Sequence, residues 1–164
     1  MTDNYYDSIA PAYDELHSSE QLKKLEIIKK ELKINKETKL LDIGCGTGVS
    51  SQFDCDVTGI DPSEELLKIA ERKFPDKQFL NESAEELSFE DKEFDVVVSL
   101  TAIQNFDDLE KGLSEIERVG KEFALTYLKK SPKASEIEKK ISEIFKDYKI
   151  KRIEEEKDII FIIK

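Results

Sequence analysis

With 164 residues, 37 of them acidic and 26 basic, the chain carries a formal net charge of −11 and has the size of one domain built round one core. A surface that acidic repels phosphate backbones, which disfavours unaided binding to DNA or RNA but leaves open a nucleic-acid substrate presented by a basic partner. Two cysteines are too few for a disulfide framework, and no apolar run approaches the ~20 residues that span a bilayer, so no membrane association is expected.

The first 17 residues mix Tyr5, Tyr6 and Tyr13 with Asp3, Asp7 and Asp14. They lack the basic and apolar regions of a signal peptide, and a cytoplasmic location is expected. Apolar spacing predicts an amphipathic helix over 19–33 with Leu22, Leu25, Ile28 and Leu32 on one face, and Ser18 with Gln21 resembles a capping box. A buried strand follows at 39–43, a second at 56–60, a helix at 62–74 and a short strand at 77–80. The β-branched run Phe94–Leu100 reads as a central strand. A helix over 108–119, built on Leu109, Leu113, Ile116 and Val119, leads to a strand at 123–128. A last helix over 133–147 carries Ile137, Ile141, Ile144 and Phe145. The tail reads as strands 148–153 and 158–163 around Glu154–Lys157, hence an antiparallel hairpin. The expected fold class is α/β: a doubly wound, mostly parallel seven-stranded sheet with a C-terminal antiparallel hairpin and helices on both faces.

The chemistry concentrates where Leu40-Leu41-Asp42-Ile43 runs into Gly44-Cys45-Gly46-Thr47-Gly48, with Asp61 closing the next strand. Glycines permit positive φ and let a ligand approach the backbone, and an acid at the end of the following strand can bind a ribose. This is the pattern of a nucleotide-type cofactor site. A phosphate-cradling P-loop needs Gly-Lys-Ser/Thr, whereas Val49 follows Gly48. A dinucleotide turn has G-x-G-x-x-G spacing, and Gly44, Gly46 and Gly48 fall one residue short, which disfavours NAD and an oxidoreductase. The remaining reading is S-adenosylmethionine, which has a ribose and adenine but no phosphate.

Leu40–Gly48, Gly59–Asp61 and Phe94–Ser99 resemble the motifs of class I S-adenosylmethionine-dependent methyltransferases. Tyr6–Asp14 is similar to the segment preceding the first motif in the branch of ubiquinone/menaquinone-biosynthesis type. The resemblance runs from Tyr5 to about Leu128 and implies a Rossmann-like methyltransferase fold, with a lid and helix over 1–33, a cofactor-binding core over 39–128 and a helix and hairpin over 133–164. It implies that Gly44, Gly46 and the backbone of Cys45 hold the methionyl part, that Asp61 holds the ribose hydroxyls and that Asp42 lies near the methionine amino group. Ala84 is implied to contact adenine through its amide, and Ser99, at the end of the third motif, joins the cofactor-binding set. Two of these have plain structural alternatives. Asp61 before Pro62 also looks like a helix N-cap with proline at the first helical position, and Asp42 could hydrogen-bond loop amides.

Departures from the family pattern matter as much. Ser83 stands where the family usually has an Asp that receives the adenine amino group; a hydroxyl accepts that bond without charge assistance. Its alternative role is to cap a turn closed by Glu86. Gln104-Asn105 stands where this branch often carries a histidine pair, so the obvious general base is missing and no catalytic residue is assigned. His17, the only histidine, reads as a surface residue. Tyr13 is the best placed of three tyrosines to lie over a sulfonium, because aromatic faces attract cations; alternatively the tyrosines pack the N-terminal segment on the sheet. Cys45 reads as a small filler, and no spacing suits metal ligands, so no metal is expected.

Only twelve residues, Val49 to Ile60, separate Gly48 from Asp61. The helix after the turn should therefore shrink to about one turn over 49–53, opening one flank of the cleft. The link Lys129–Pro132 leaves no room for an inserted substrate wall. These absences suit a large substrate, or a protein partner or second copy that completes the site. No Asn-Pro-Pro-Tyr or Pro-Cys motif is present, which leaves direct displacement at the sulfonium methyl to an unidentified acceptor, a reaction that depends mostly on positioning. The alternative without catalysis is an idle cofactor-binding subunit of a partner methyltransferase.

Overall fold

The structure, a computed structural model, describes residues 18–164. Tyr5, Tyr6, Tyr13 and His17, and with them the expected aromatic lid, lie outside the described residues. Seven strands form one sheet: β1 (Lys39–Ile43), β2 (Asp56–Ile60), β3 (Gln78–Leu80), β4 (Phe94–Ser99), β5 (Gly120–Leu128), β6 (Ile150–Glu154) and β7 (Asp158–Ile163), in the order β3-β2-β1-β4-β5-β7-β6. The first five run parallel, and β7 pairs antiparallel with both β5 and β6. This is the doubly wound sheet with a terminal hairpin that the alternating pattern predicts. Among the described residues four helices accompany it: α1 (18–31), α2 (Glu64–Lys73), α3 (Leu109–Val119) and α4 (Ala134–Ile144).

Side chains alternate across a strand, and here the two faces are covered by different helices. Leu41, Val97, Phe123, Leu125 and Phe161 face α3 and α4 through Leu113, Ile116, Ile137 and Ile141. Leu40, Val96, Val98, Ala124, Ile160 and Ile162 face α1 through Leu25, Ile28 and Leu32. Helix α2 sets Leu67 and Ala70 on Phe79 and Cys45. The chain winds outward from β1 through β2 to β3, then returns to β4 on the other side of β1. That reversal opens a crevice beyond the carboxyl ends of β1 and β4, where open α/β sheets bind ligands.

Several boundaries differ from expectation. Helix α2 starts at Glu64 and is capped by Ser63, whose hydroxyl accepts from Leu66 N–H, with Pro62 before the cap. Leu22 is 43% exposed and leaves the apolar face of α1, while Gln21 accepts from Lys24 instead of closing a capping box with Ser18. Strand β5 starts at Gly120, directly after α3, with exposed Lys121 at its rim. β6 starts at Ile150 because the Tyr148 ring turns inward, 5.6 Å from Phe123 and 5.5 Å from Phe145.

Candidate functional site

A cavity of about 570 Å³ opens at the carboxyl ends of β1, β2 and β4, within the roughly 300–1,000 Å³ of small-molecule and cofactor sites. One wall is the glycine turn, in which Gly44, Gly46 and Gly48 all take left-handed backbone (φ 75°, 55° and 91°). A Cβ at Gly44 would lie 2.7 Å from that of Ala102, so side-chain-free backbone is also a packing requirement there. The amides of Gly44 and Cys45 both donate to Ile60 C=O (2.9 and 3.0 Å), that of Gly46 to Asp61 Oδ2 (2.9 Å) and that of Gly48 to Cys45 C=O (2.9 Å). With those four donors used internally, the turn offers space rather than a phosphate cradle, as its spacing predicts.

Asp61 is 8% exposed and closes the second wall. Its Oδ2 takes the Gly46 amide and its Oδ1 the amide of Ser63 (2.9 Å), so the carboxylate is fixed between turn and helix. An ionised carboxylate only accepts hydrogen bonds and has several lone-pair sites, a chemistry that suits ligand hydroxyls. Asp42 lies fully buried beneath the turn and off the cavity surface. Its Oδ2 accepts from the hydroxyls of Ser50 (2.6 Å) and Ser51 (2.7 Å), not from loop amides, and its Oδ1 has no partner among the described residues. Burial pushes its pKa up to about 6 against the pull of the two serines, with the Asp61 charge adding to the rise. Those serines belong to a single 3₁₀ turn, Val49–Ser51, which is all that follows the glycines, as the short spacing predicts. The Cys45 thiol is raised well above its ordinary range by burial, then by the charges of Asp42 and Asp61, so it is no nucleophile.

The third wall holds exposed Ser83 and buried Ala84. The Ser83 carbonyl accepts from Glu86 N–H (3.2 Å), so the turn closes through backbone rather than through the side chain, and Ser83 lines the cavity. Arg118 fastens the following loop by donating to the carbonyls of Leu87 and Phe89. It is itself held by Glu115, whose carboxyl it keeps below the usual range. Ser99 is not brought to the cavity: it is wholly buried, and its hydroxyl donates to Ile43 C=O (3.0 Å), tying β4 to β1.

The fourth wall, 100–107, contains residues that sequence reasoning missed. Thr101 has φ 54°, unusual for a β-branched side chain, and its partners come from α1, β5 and β7. Phe106 lies against Gly112 of α3, where a Cβ would come within 2.5 Å of its ring. Gln104 donates through Nε2 to Thr101 C=O (2.9 Å). Among the described residues the lining includes the acids Asp61, Glu82, Glu85 and Asp107 against one basic residue, Lys133. Such a lining favours a cation and opposes a phosphate. A ribose-bearing sulfonium ligand without phosphate fits the space, the closed turn and the charge.

Comparison with known proteins agrees with this geometry. Residues 41–127 match the family model described as a methyltransferase domain. A demethylmenaquinone methyltransferase of Chlorobaculum tepidum is 35% identical over 141 residues, covering 76% of this chain and 57% of that protein. An uncharacterized protein of Methanocaldococcus jannaschii is 38% identical over 120 residues, covering 72% and 47%. The chain thus spans about half the length of the curated relatives it matches. In fold it resembles a TehB-like S-adenosylmethionine-dependent methyltransferase from Corynebacterium glutamicum (TM-score 0.77, 14% identity, 99% of each chain). It also resembles a chain from the Haloferax volcanii complex between the Trm112 methyltransferase activator and a methyltransferase (TM-score 0.78, 16% identity, 96% of each). Sheet order, glycine turn, Asp61 and these matches agree: the chain belongs to the class I S-adenosylmethionine-dependent methyltransferases, in the neighbourhood of the ubiquinone/menaquinone-biosynthesis type.

Proposed function

We propose that the chain binds S-adenosylmethionine in this cavity and passes its methyl group by direct displacement to an acceptor arriving across the open flank. The observation that carries the reading is the joint geometry of turn and acid. The amides of Gly44, Cys45, Gly46 and Gly48 are engaged within the fold, while Asp61, held by two backbone amides, lines the cavity where a ribose would lie. Bound there, the cofactor supplies an electrophilic methyl on a sulfonium. The residues of this chain orient it: Gly44, Cys45 and Gly46 beside the methionyl part, Asp61 on the ribose, Ala84 and Ser83 at the adenine. Asp42 sits one layer below, steadying the turn through Ser50 and Ser51. Displacement of this kind gains most from holding donor and acceptor in line.

A protein partner covering the open flank is part of this reading. Its support is the single turn at Val49–Ser51, the five-residue link between β5 and α4, and the Haloferax neighbour, seen with the Trm112 activator. The quinone acceptor named for the Chlorobaculum relative belongs to a protein of which this chain matches 57%.

Thermal unfolding tests the cofactor. Ligand at 100 times its dissociation constant stabilises a fold by about 2.7 kcal/mol. S-adenosylmethionine or its demethylated product should raise Tm and NAD should not; Asp61→Ala should abolish the shift. The reverse ligand preference refutes the reading, and a retained shift in Asp61→Ala reduces that residue to a structural clamp. Tritiated methyl donor incubated with source-cell extract, then fractionated into protein, RNA and small molecules, identifies the acceptor class. No labelled product, even with candidate partners added, favours an idle cofactor-binding subunit.

A further inference from the structure

A chain of buried polar contacts joins the cavity wall to α1 and β7. Lys24 is 2% exposed, and its ammonium donates to Gln21 Oε1 (3.1 Å) and Thr101 Oγ1 (2.6 Å) and lies 3.1 Å from Asp158 Oδ2. That same carboxylate oxygen accepts from the hydroxyls of Thr101 (2.7 Å) and Thr126 (2.9 Å), while Asp158 Oδ1 has no partner among the described residues. Thr101 N–H donates to Thr126 Oγ1 (2.8 Å), and Thr101 C=O accepts from Gln104.

A buried ion pair is weak evidence for stability, because desolvating both charges offsets their attraction. What this one holds is more telling. Thr101 is β-branched and left-handed, a strained combination, and such strain persists only where the surroundings over-determine it. Here the amide, the carbonyl and the hydroxyl, as donor and as acceptor, are all engaged. The next residue, Ala102, meets the bare face of Gly44. Thr101 and Gln21 both line the cavity. The strained residue therefore sets how closely the 100–102 wall approaches the glycine turn.

Resting on the reading that the cavity takes S-adenosylmethionine, we propose that Lys24, Asp158 and Thr126 are positioning residues. They hold Thr101 in its left-handed conformation and so fix the width of the cavity at the methionyl end. Thr101→Val keeps the shape and removes the hydroxyl; Thr101→Ser keeps the hydroxyl. Titration calorimetry with S-adenosylhomocysteine, on protein shown folded by circular dichroism and held well below its Tm, reads the effect. Thr101→Val should weaken binding about tenfold, the scale of one buried hydrogen bond, and Thr101→Ser should bind as the wild type does. A residue serving the fold alone would lower Tm and leave the dissociation constant unmoved. An unchanged constant in folded Thr101→Val overturns the proposal and leaves the cofactor reading standing, whereas a folded wild type that binds no S-adenosylhomocysteine overturns both. Should Thr101→Val not fold, Thr126→Val is read in the same way, since it strips the Thr101 amide of its acceptor and leaves the Lys24–Asp158 contact in place.

Discussion

Asp42→Asn separates the electrostatics of the site from its packing. Burial raises the Asp42 carboxyl from 3.8 to about 6, so the folded chain holds this proton more tightly than the unfolded chain does. The stabilisation is complete well below pH 3.8 and is lost as pH rises through 6. At 1.36 kcal/mol per pH unit the loss is about 3 kcal/mol by pH 8. Asparagine imitates the neutral acid at every pH. Its carbonyl can accept from Ser50 and Ser51, while its NH₂ takes the place of an oxygen with no partner among the described residues, a cost of about 1–3 kcal/mol that does not depend on pH. Urea unfolding of both proteins at pH 4 and pH 8 cancels that constant. The stability of Asp42→Asn relative to wild type should rise by about 2 kcal/mol between the two, most of the full effect. A difference that stays flat, or falls, would show that Asp42 is ionised and well solvated in the fold and refute the argument.

Two further outcomes follow from the walls of the cavity. Gly44→Ala forces a Cβ at φ 75° to within 2.7 Å of the Ala102 methyl. Strain of about 1–2 kcal/mol and overpacking of about 1–3 kcal/mol should lower Tm by roughly 5–15 °C, measurable by calorimetry; an unchanged Tm means the turn relaxes freely. Ser83→Asp should tighten S-adenosylhomocysteine binding roughly fivefold by making an adenine hydrogen bond charge-assisted, and weaker binding would place the adenine elsewhere.

The sheet was legible because its strands announce themselves. β1 and β2 are apolar runs ended by glycine or acid, and their observed limits coincide with the expected ones. The start of α2 was placed two residues early because Asp61-Pro62 imitates a helix start, whereas Ser63 is the cap and the Asp61 carboxylate bridges the amides of Ser63 and of Gly46, fifteen residues earlier in the chain. Ser99 was read as a ligand contact from its place in a motif; its hydroxyl meets a carbonyl of the neighbouring strand, which pairing register alone decides. The Lys24–Thr101–Asp158 cluster joins positions 77 and 57 residues apart. A lysine inside a Lys/Glu-rich helix reads as solvated until the fold brings an acid beneath it.

The inward-turned amides of the glycine turn also bear on competition inside a cell. ATP presents the same adenosine as S-adenosylmethionine, and Asp61 alone would not tell their riboses apart. The triphosphate, however, would meet spent donors in a cavity whose lining also carries the carboxylates of Glu82, Glu85 and Asp107. Those acids repel the extra charge that the amides decline to solvate. If the cavity takes S-adenosylmethionine as proposed, ATP should be a poor rival, held off by bonds the backbone has already made with itself.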